Sequence, residues 1–160
     1  MKPFPKKLLL AAFILPINFH PASAAGLNYT CEIDGIYYQI RDGNNGAWVT
    51  NNGMENTYSG DIVIPDEITF EGKIYDVKSF DPEAFAGCTQ LTSITLPTSL
   101  KHLSLPSFYD CSNLTEINFQ CSEYIELIDN DAFNGSAWYE NQPEGILYLG
   151  DICLGYKGEK

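Results

Sequence analysis

From Val77 onward the apolar pattern of the chain returns after 23 residues. Val77, Phe80, Phe85, Cys88, Leu91, Ile94 and Leu96 are answered by Leu100, Leu103, Phe108, Cys111, Leu114, Ile117 and Phe119. A third copy starts two residues late, with Ile125, Ile128, Ala132 and Phe133 standing for Leu100, Leu103, Ser107 and Phe108. A fixed period in the twenties specifies a solenoid, because each copy can bury its apolar side only against its neighbours. Such a stack offers a continuous surface more readily than a pocket, which favours binding over catalysis.

Within each copy the spacing predicts the elements. Leu91-x-x-Ile94-x-Leu96 and Leu114-x-x-Ile117-x-Phe119 alternate as half-buried strands do. Between them lies a short element around Ala84-Phe85 and Ser107-Phe108. Asp81 is a good N-cap and Pro82 a good first helical residue, so one or two helical turns are expected there. The expected architecture is an α/β repeat: a parallel sheet on one face of a short solenoid and helical turns on the other. Ile62, Ile64 and Pro65 parallel Ile94, Leu96 and Pro97, which starts the repeats at Asp61 and carries them to residue 145. An insertion from Ile68 to Asp76 reads as a hairpin turning at Phe70-Glu71-Gly72-Lys73.

The flanks differ in style. Cys31, Ile33, Ile36, Tyr38 and Ile40 lead to Asp42-Gly43-Asn44-Asn45-Gly46 and then Ala47-Trp48-Val49, apolar runs around a hairpin turn. Residues 25–60 are therefore expected to cap the open first end with a β-hairpin, and Asn51-Asn52-Gly53 to turn the chain again. Residues 146–160 contain Ile146 to Leu149 and Ile152 to Leu154 around Gly150-Asp151, which reads as a second hairpin; either it caps the far end or the chain stops short of a longer array.

Residues 1–24 read as a secretory signal peptide. Lys2, Lys6 and Lys7 precede an apolar run from Leu8 to Ile17, and Ala22-Ser23-Ala24 supplies the small residues of a cleavage site. The run is too short for a permanent membrane span. Losing those lysines takes the formal charge from −12 to −15. That acidity argues against nucleic acid and anionic membrane surfaces, both of which need basic patches. Five cysteines follow (31, 88, 111, 121 and 153), and an odd number in an exported chain leaves one thiol over. Cys88 and Cys111 share one repeat position and read as buried core thiols, with Cys121 and Cys153 the favoured bridge.

If the apolar strand positions face inward, Thr92, Ser93 and Thr95 come to lie beside Thr115, Glu116 and Asn118 on the outer face of the sheet. These six form the candidate ligand-binding residues, since stacked repeats align side chains into ladders. Tyr37, Tyr58, Tyr148 and Tyr156 are further candidates for exposed contacts. Phe80, Phe85, Phe108, Phe119 and Phe133 follow the repeat and belong to the core, and Trp138 and Tyr139 are expected under the last repeat. Asp129 to Gly135 hints at a calcium loop, but Phe133 takes the fifth ligand position and is a repeat core residue. After the leader the single histidine is His102, expected on a surface turn, and no Gly-x-Ser-x-Gly elbow or metal-binding histidine pair is present. No catalytic residue, metal or cofactor is expected.

One segment, Ala84-Phe85-x-x-Cys88-x-x-Leu91-x-x-Ile94-x-Leu96-Pro97, resembles the repeat of the BspA-type leucine-rich repeat proteins. Asp34-Gly35-Ile36-Tyr37-Tyr38, Tyr58 to Pro65, and Trp138-Tyr139 with Gly145 to Gly150 are similar to the same family, so the likeness covers most of residues 29–157. Ser107 in place of alanine and Gly135-Ser136 in place of glycine-cysteine depart mildly from its pattern. The resemblance implies an exported bacterial module, secreted, periplasmic or on the cell surface, without catalytic residues. It further implies adhesion or surface interaction with an extracellular protein or glycan. From another class comes the expectation of a structural spacer that self-associates through its terminal repeat, because an uncovered strand edge recruits another chain.

Overall fold

The computed structural model describes residues 28–41, 43, 45–53, 57–103, 106–119, 127–128 and 131–158. The expected leader lies outside them, as do Cys121 and the Asp129-Asn130 start of the calcium-like loop.

Strands β1 (Asn28–Ile33), β2 (Ile36–Arg41) and β3 (Gly46–Thr50) form an antiparallel meander, with Ile33 paired to Ile36 and Arg41 to Gly46. The expected hairpin is its second half. The first half turns at Asp34 and Gly35, both with positive φ (51° and 81°), as a two-residue hairpin turn that matches the twist of the flanking strands requires. The inserted hairpin also forms as expected: β5 (Glu67–Phe70) returns through Glu71-Gly72 into β6 (Lys73–Phe80), after β4 (Ser59–Val63).

The remaining strands are β7 (Gln90–Thr95), β8 (His102–Leu103), β9 (Glu116–Asn118), β10 (Leu127–Ile128), β11 (Gly145–Leu149) and β12 (Ile152–Lys157). A four-residue helix, α1 (Ala137–Glu140), precedes the last two. The sheets run in the order β1-β2-β3-β6-β8-β10, with β5 on β6, then β4-β7-β9, then β11-β12. Pairing of β3 with β6, β6 with β8 and β8 with β10 is parallel, as is that of β4 with β7 and β7 with β9. Strands β3, β6, β8 and β10 thus form one parallel stack and β4, β7 and β9 a second, and the fold is mostly strand. His102 sits in β8, paired to Ser79 and Leu127, and not on a surface turn. The late start of the third copy is real: Leu127 and Ile128 pair with His102 and Leu103, an offset of 25 residues.

The helical turns expected at Asp81-Pro82 do not form; residues 82–87 are consecutive tight turns. Two causes are visible. Glu83 and Gly87 take left-handed φ values of 63° and 70°, which end any right-handed helix. The amides there also bond along the stack, Phe85 N to Ser107 O at 3.0 Å and Gly87 N to Tyr109 O at 2.8 Å. The next repeat copies both bonds, Phe108 N to Ala132 O at 2.8 Å and Asp110 N to Asn134 O at 3.4 Å. Asp81, expected as an N-cap, instead meets the Arg41 guanidinium at 3.4 Å.

The core between the two stacks is an aromatic column. Phe85 stacks on Phe108 with centroids 5.1 Å apart, and Phe108 on Phe133 at 5.4 Å with planes 4° apart. Tyr58 closes one end on Phe85 and Trp138 the other on Phe133. Cys88 and Cys111 are buried free thiols beside this column, as their repeat position implies. Burial pushes the Cys111 thiol up to about 12, and its sulfur lies 3.0 Å from Phe85 O as donor. At the far end Leu147, Leu149 and Leu154 of the terminal hairpin join the same core. The Lys157 ammonium ties that hairpin down, donating to the carbonyls of Tyr139, Glu140 and Gln142 at 2.6, 2.8 and 2.8 Å around the end of α1.

Candidate functional site

Leu91, Ile94 and Leu114 are buried, so the residues between them on β7 and β9 face outward. The two register rows across this sheet are Asp61, Ser93 and Glu116, then Val63, Thr95 and Asn118. Parallel strands about 4.8 Å apart hold each row as a ladder. All six expected residues reach this outer side. Thr92, Thr115, Glu116 and Asn118 are exposed, while Ser93 and Thr95 are partly covered. A register shift between Gly60 and Asp61 lets Thr92 and Ser93 address the same neighbour.

That neighbour is Asp61. Thr92 Oγ1 and Ser93 Oγ both donate to Asp61 Oδ1 at 2.8 Å. The Ser93 hydroxyl, with that of Thr92, holds the Asp61 carboxyl below its ordinary value, because both bonds favour the charged form. On the next strand Asn118 Nδ2 donates to Glu116 Oε1 at 2.9 Å, and Thr115 N donates to Thr92 O at 3.1 Å. Two carboxylates are thus held on one face by neutral donors. Strand positions 59–63, 90–95 and 115–118 contain no lysine or arginine. A face of this kind supplies acceptors and hydroxyls, and it suits a ligand that brings hydrogen-bond donors or positive charge.

Asp61 and Val63, the latter 66 % exposed, belong to the face but were not among the expected residues. The signal was present: Ile62, Ile64 and Pro65 parallel Ile94, Leu96 and Pro97, which puts Asp61 and Val63 level with Ser93 and Thr95.

The aromatic candidates separate. Tyr58 is buried at the head of the aromatic column, where its hydroxyl donates to Thr50 O and accepts from Tyr37 N, so it is not a surface contact. Tyr37 is half-buried against it. Tyr148 and Tyr156 are exposed on the terminal hairpin, away from the polar ladder in sequence and in sheet, and Tyr109 is exposed as well. Cys153 is an exposed free thiol; Cys121, its expected partner, lies outside the described residues. Among the described residues no cluster of three or more His, Cys, Asp or Glu could hold a metal ion, and no helix is long and apolar enough to cross a membrane.

Comparison with known proteins places this geometry in context. A family described as the BspA type leucine rich repeat region matches residues 56–151 in six copies. A leucine-rich repeat protein from Bacteroides ovatus is similar in structure, with a TM-score of 0.52 and 25 % identity over 68 % of this chain and 33 % of that one. A leucine rich cell surface protein from Faecalibacterium prausnitzii has a TM-score of 0.50 and 20 % identity over 62 % of this chain, a likeness of fold. The chain spans about a third and a quarter of the length of these two structures. No curated protein matches it.

Proposed function

The chain belongs to the BspA-type leucine-rich repeat family, and from that premise we propose that it is a non-catalytic, exported binding module. Its ligand is a macromolecule outside the cell, a host or matrix protein or a glycan, engaged in adhesion or surface interaction. The observation that carries this reading is the polar ladder: Asp61, Ser93 and Glu116 in one row and Val63, Thr95 and Asn118 in the next. Adjacent strands align these side chains in rows at a fixed spacing, which lets one extended ligand contact successive strands.

The chemistry narrows the partner. Asp61 is held ionised by two hydroxyls, so the ligand supplies donors: sugar hydroxyls, or lysine and arginine side chains of a protein. An acidic face attracts a basic protein surface at long range and loses that attraction as salt rises. A neutral glycan shows no such salt dependence. The leader expected at residues 1–24 and the acidic composition support a site of action outside the cytoplasm.

The test is binding of the purified chain to an array of glycans and matrix proteins, beside Thr95→Arg and Glu116→Arg. Saturable binding that both variants lose by tenfold or more supports the sheet face. Binding that survives both places the site elsewhere and refutes it.

A further inference from the structure

The terminal hairpin carries a second surface. Its inward side chains, Leu147, Leu149 and Leu154, complete the core. Its outward side is also apolar: Ile146 is 61 % exposed and Tyr148 and Tyr156 are each 54 % exposed. The register explains why these meet. Ile146 pairs with Tyr156 and Tyr148 with Cys153, and a bulge between the two pairs keeps all four on one side.

Charge identifies what can sit there. The hairpin from Gly145 to Lys157 contains two charged side chains, Asp151 and Lys157, in a chain of formal charge −12. The Lys157 ammonium is already taken up by three carbonyls on the inner side. Two copies of so acidic a protein repel wherever carboxylates face each other. The hairpin face is a neutral, apolar stretch where they can meet. A face that packs on its own copy about a two-fold axis needs no second complementary surface.

We propose that the outer face of this hairpin is a self-association surface, which joins two copies hairpin to hairpin with their polar ladders left free. Size sets the strength. A fully exposed tyrosine offers roughly 200 Å², so Ile146, Tyr148 and Tyr156 present on the order of 300 Å² per copy. Two such faces with their rims approach the ~1,000 Å² at the low end of specific interfaces, which corresponds to a weak, reversible dimer. The inference does not rest on ligand binding at the polar ladder, which lies in a different sheet.

Sedimentation equilibrium of the purified chain tests it, with dissociation expected in the micromolar range. Tyr148→Asp and, separately, the milder Tyr156→Ser should each weaken the dimer by tenfold or more while far-UV circular dichroism stays unchanged. Glu116→Arg, on the polar ladder, should leave it intact. In a Cys121→Ser background a bismaleimide should link copies through Cys153, and Tyr148→Asp should abolish the linked species. A chain that stays monomeric at high concentration, or a dimer indifferent to both tyrosine variants, overturns the proposal. So does a monomer that a matrix protein or glycan captures through this face.

Discussion

Replacing Phe108 by alanine removes the middle ring of the aromatic column, and the structure sets the size of the loss. Phe108 is fully buried and touches a ring on either side, Phe85 at 5.1 Å and Phe133 at 5.4 Å, with Phe80 edge-on at 6.2 Å. Truncating a core phenylalanine costs about 3–5 kcal/mol, and each lost ring pair adds about 0.5–1.5 kcal/mol beyond area burial. The upper part of that range, about 4–5 kcal/mol, is expected because both neighbouring repeats lose their contact at once. A chain of this size loses roughly 4 °C of melting temperature per kcal/mol, so Tm should fall by roughly 15 °C or more. Urea unfolding followed by far-UV circular dichroism, under reducing conditions, measures it, and an unchanged slope with denaturant would assign the loss to the native state. Phe108→Leu keeps most of the volume but not the stacking and should cost about 1–2 kcal/mol. Tyr109→Ala, one residue on and 54 % exposed, should stay within about 0.5 kcal/mol of the parent. If Phe108→Ala were as mild as Tyr109→Ala, the column would not be the core of the solenoid and the reasoning would fail.

Lys157→Met strips three carbonyls of their charged donor; a loss of about 1–2 kcal/mol is expected, with hydrogen exchange accelerated first in β11 and β12. Gly135 has φ 76° and leaves a would-be Cβ 3.1 Å from Asp110 N, so Gly135→Ala should cost about 1–2 kcal/mol in the same urea assay. Asp61 titrates below its ordinary value because Ser93 and Thr92 bond the charged form. Its contribution to stability is therefore present above the unfolded carboxyl value and lost as pH falls through the lower folded one. Carboxyl NMR should place the Asp61 midpoint below the ordinary ~3.9, and Ser93→Ala should move it back up.

Burial leaves a strong trace in sequence, and the readable parts of this fold are those that burial dictates. The period through Phe85, Phe108 and Phe133, the thiols at 88 and 111, the inward Leu91 and Ile94 and the outward Thr95 and Glu116 all follow from which side chains avoid water. The hairpin turns at Glu71-Gly72 and Gly150-Asp151 were equally legible, because few residues accept such backbone angles. Backbone direction between Asp81 and Cys88 was not. Asp-Pro is a sound helix start by local propensity, but Glu83 in the left-handed region and amides bonded to the next repeat overrule it. Tyr58 misled for a related reason. Nothing in its immediate neighbours says that a ring is needed to close the open end of a column whose members lie 27 and more residues away. The polar ladder was two-thirds visible from β7 and β9, and Asp61 and Val63 complete it through a pairing 32 residues distant.

The bonds between turns, from Phe85 to Ser107 and from Phe108 to Ala132, run along the axis of the stack. Tension applied between the two ends of the molecule therefore falls on one inter-repeat junction after another, in series. At the junction between the Phe85 and Phe108 repeats two strand ladders, a pair of turn bonds and a ring contact share the load. A tether built this way yields in steps of one repeat, and each step taken up absorbs work that would otherwise reach whatever holds the ends.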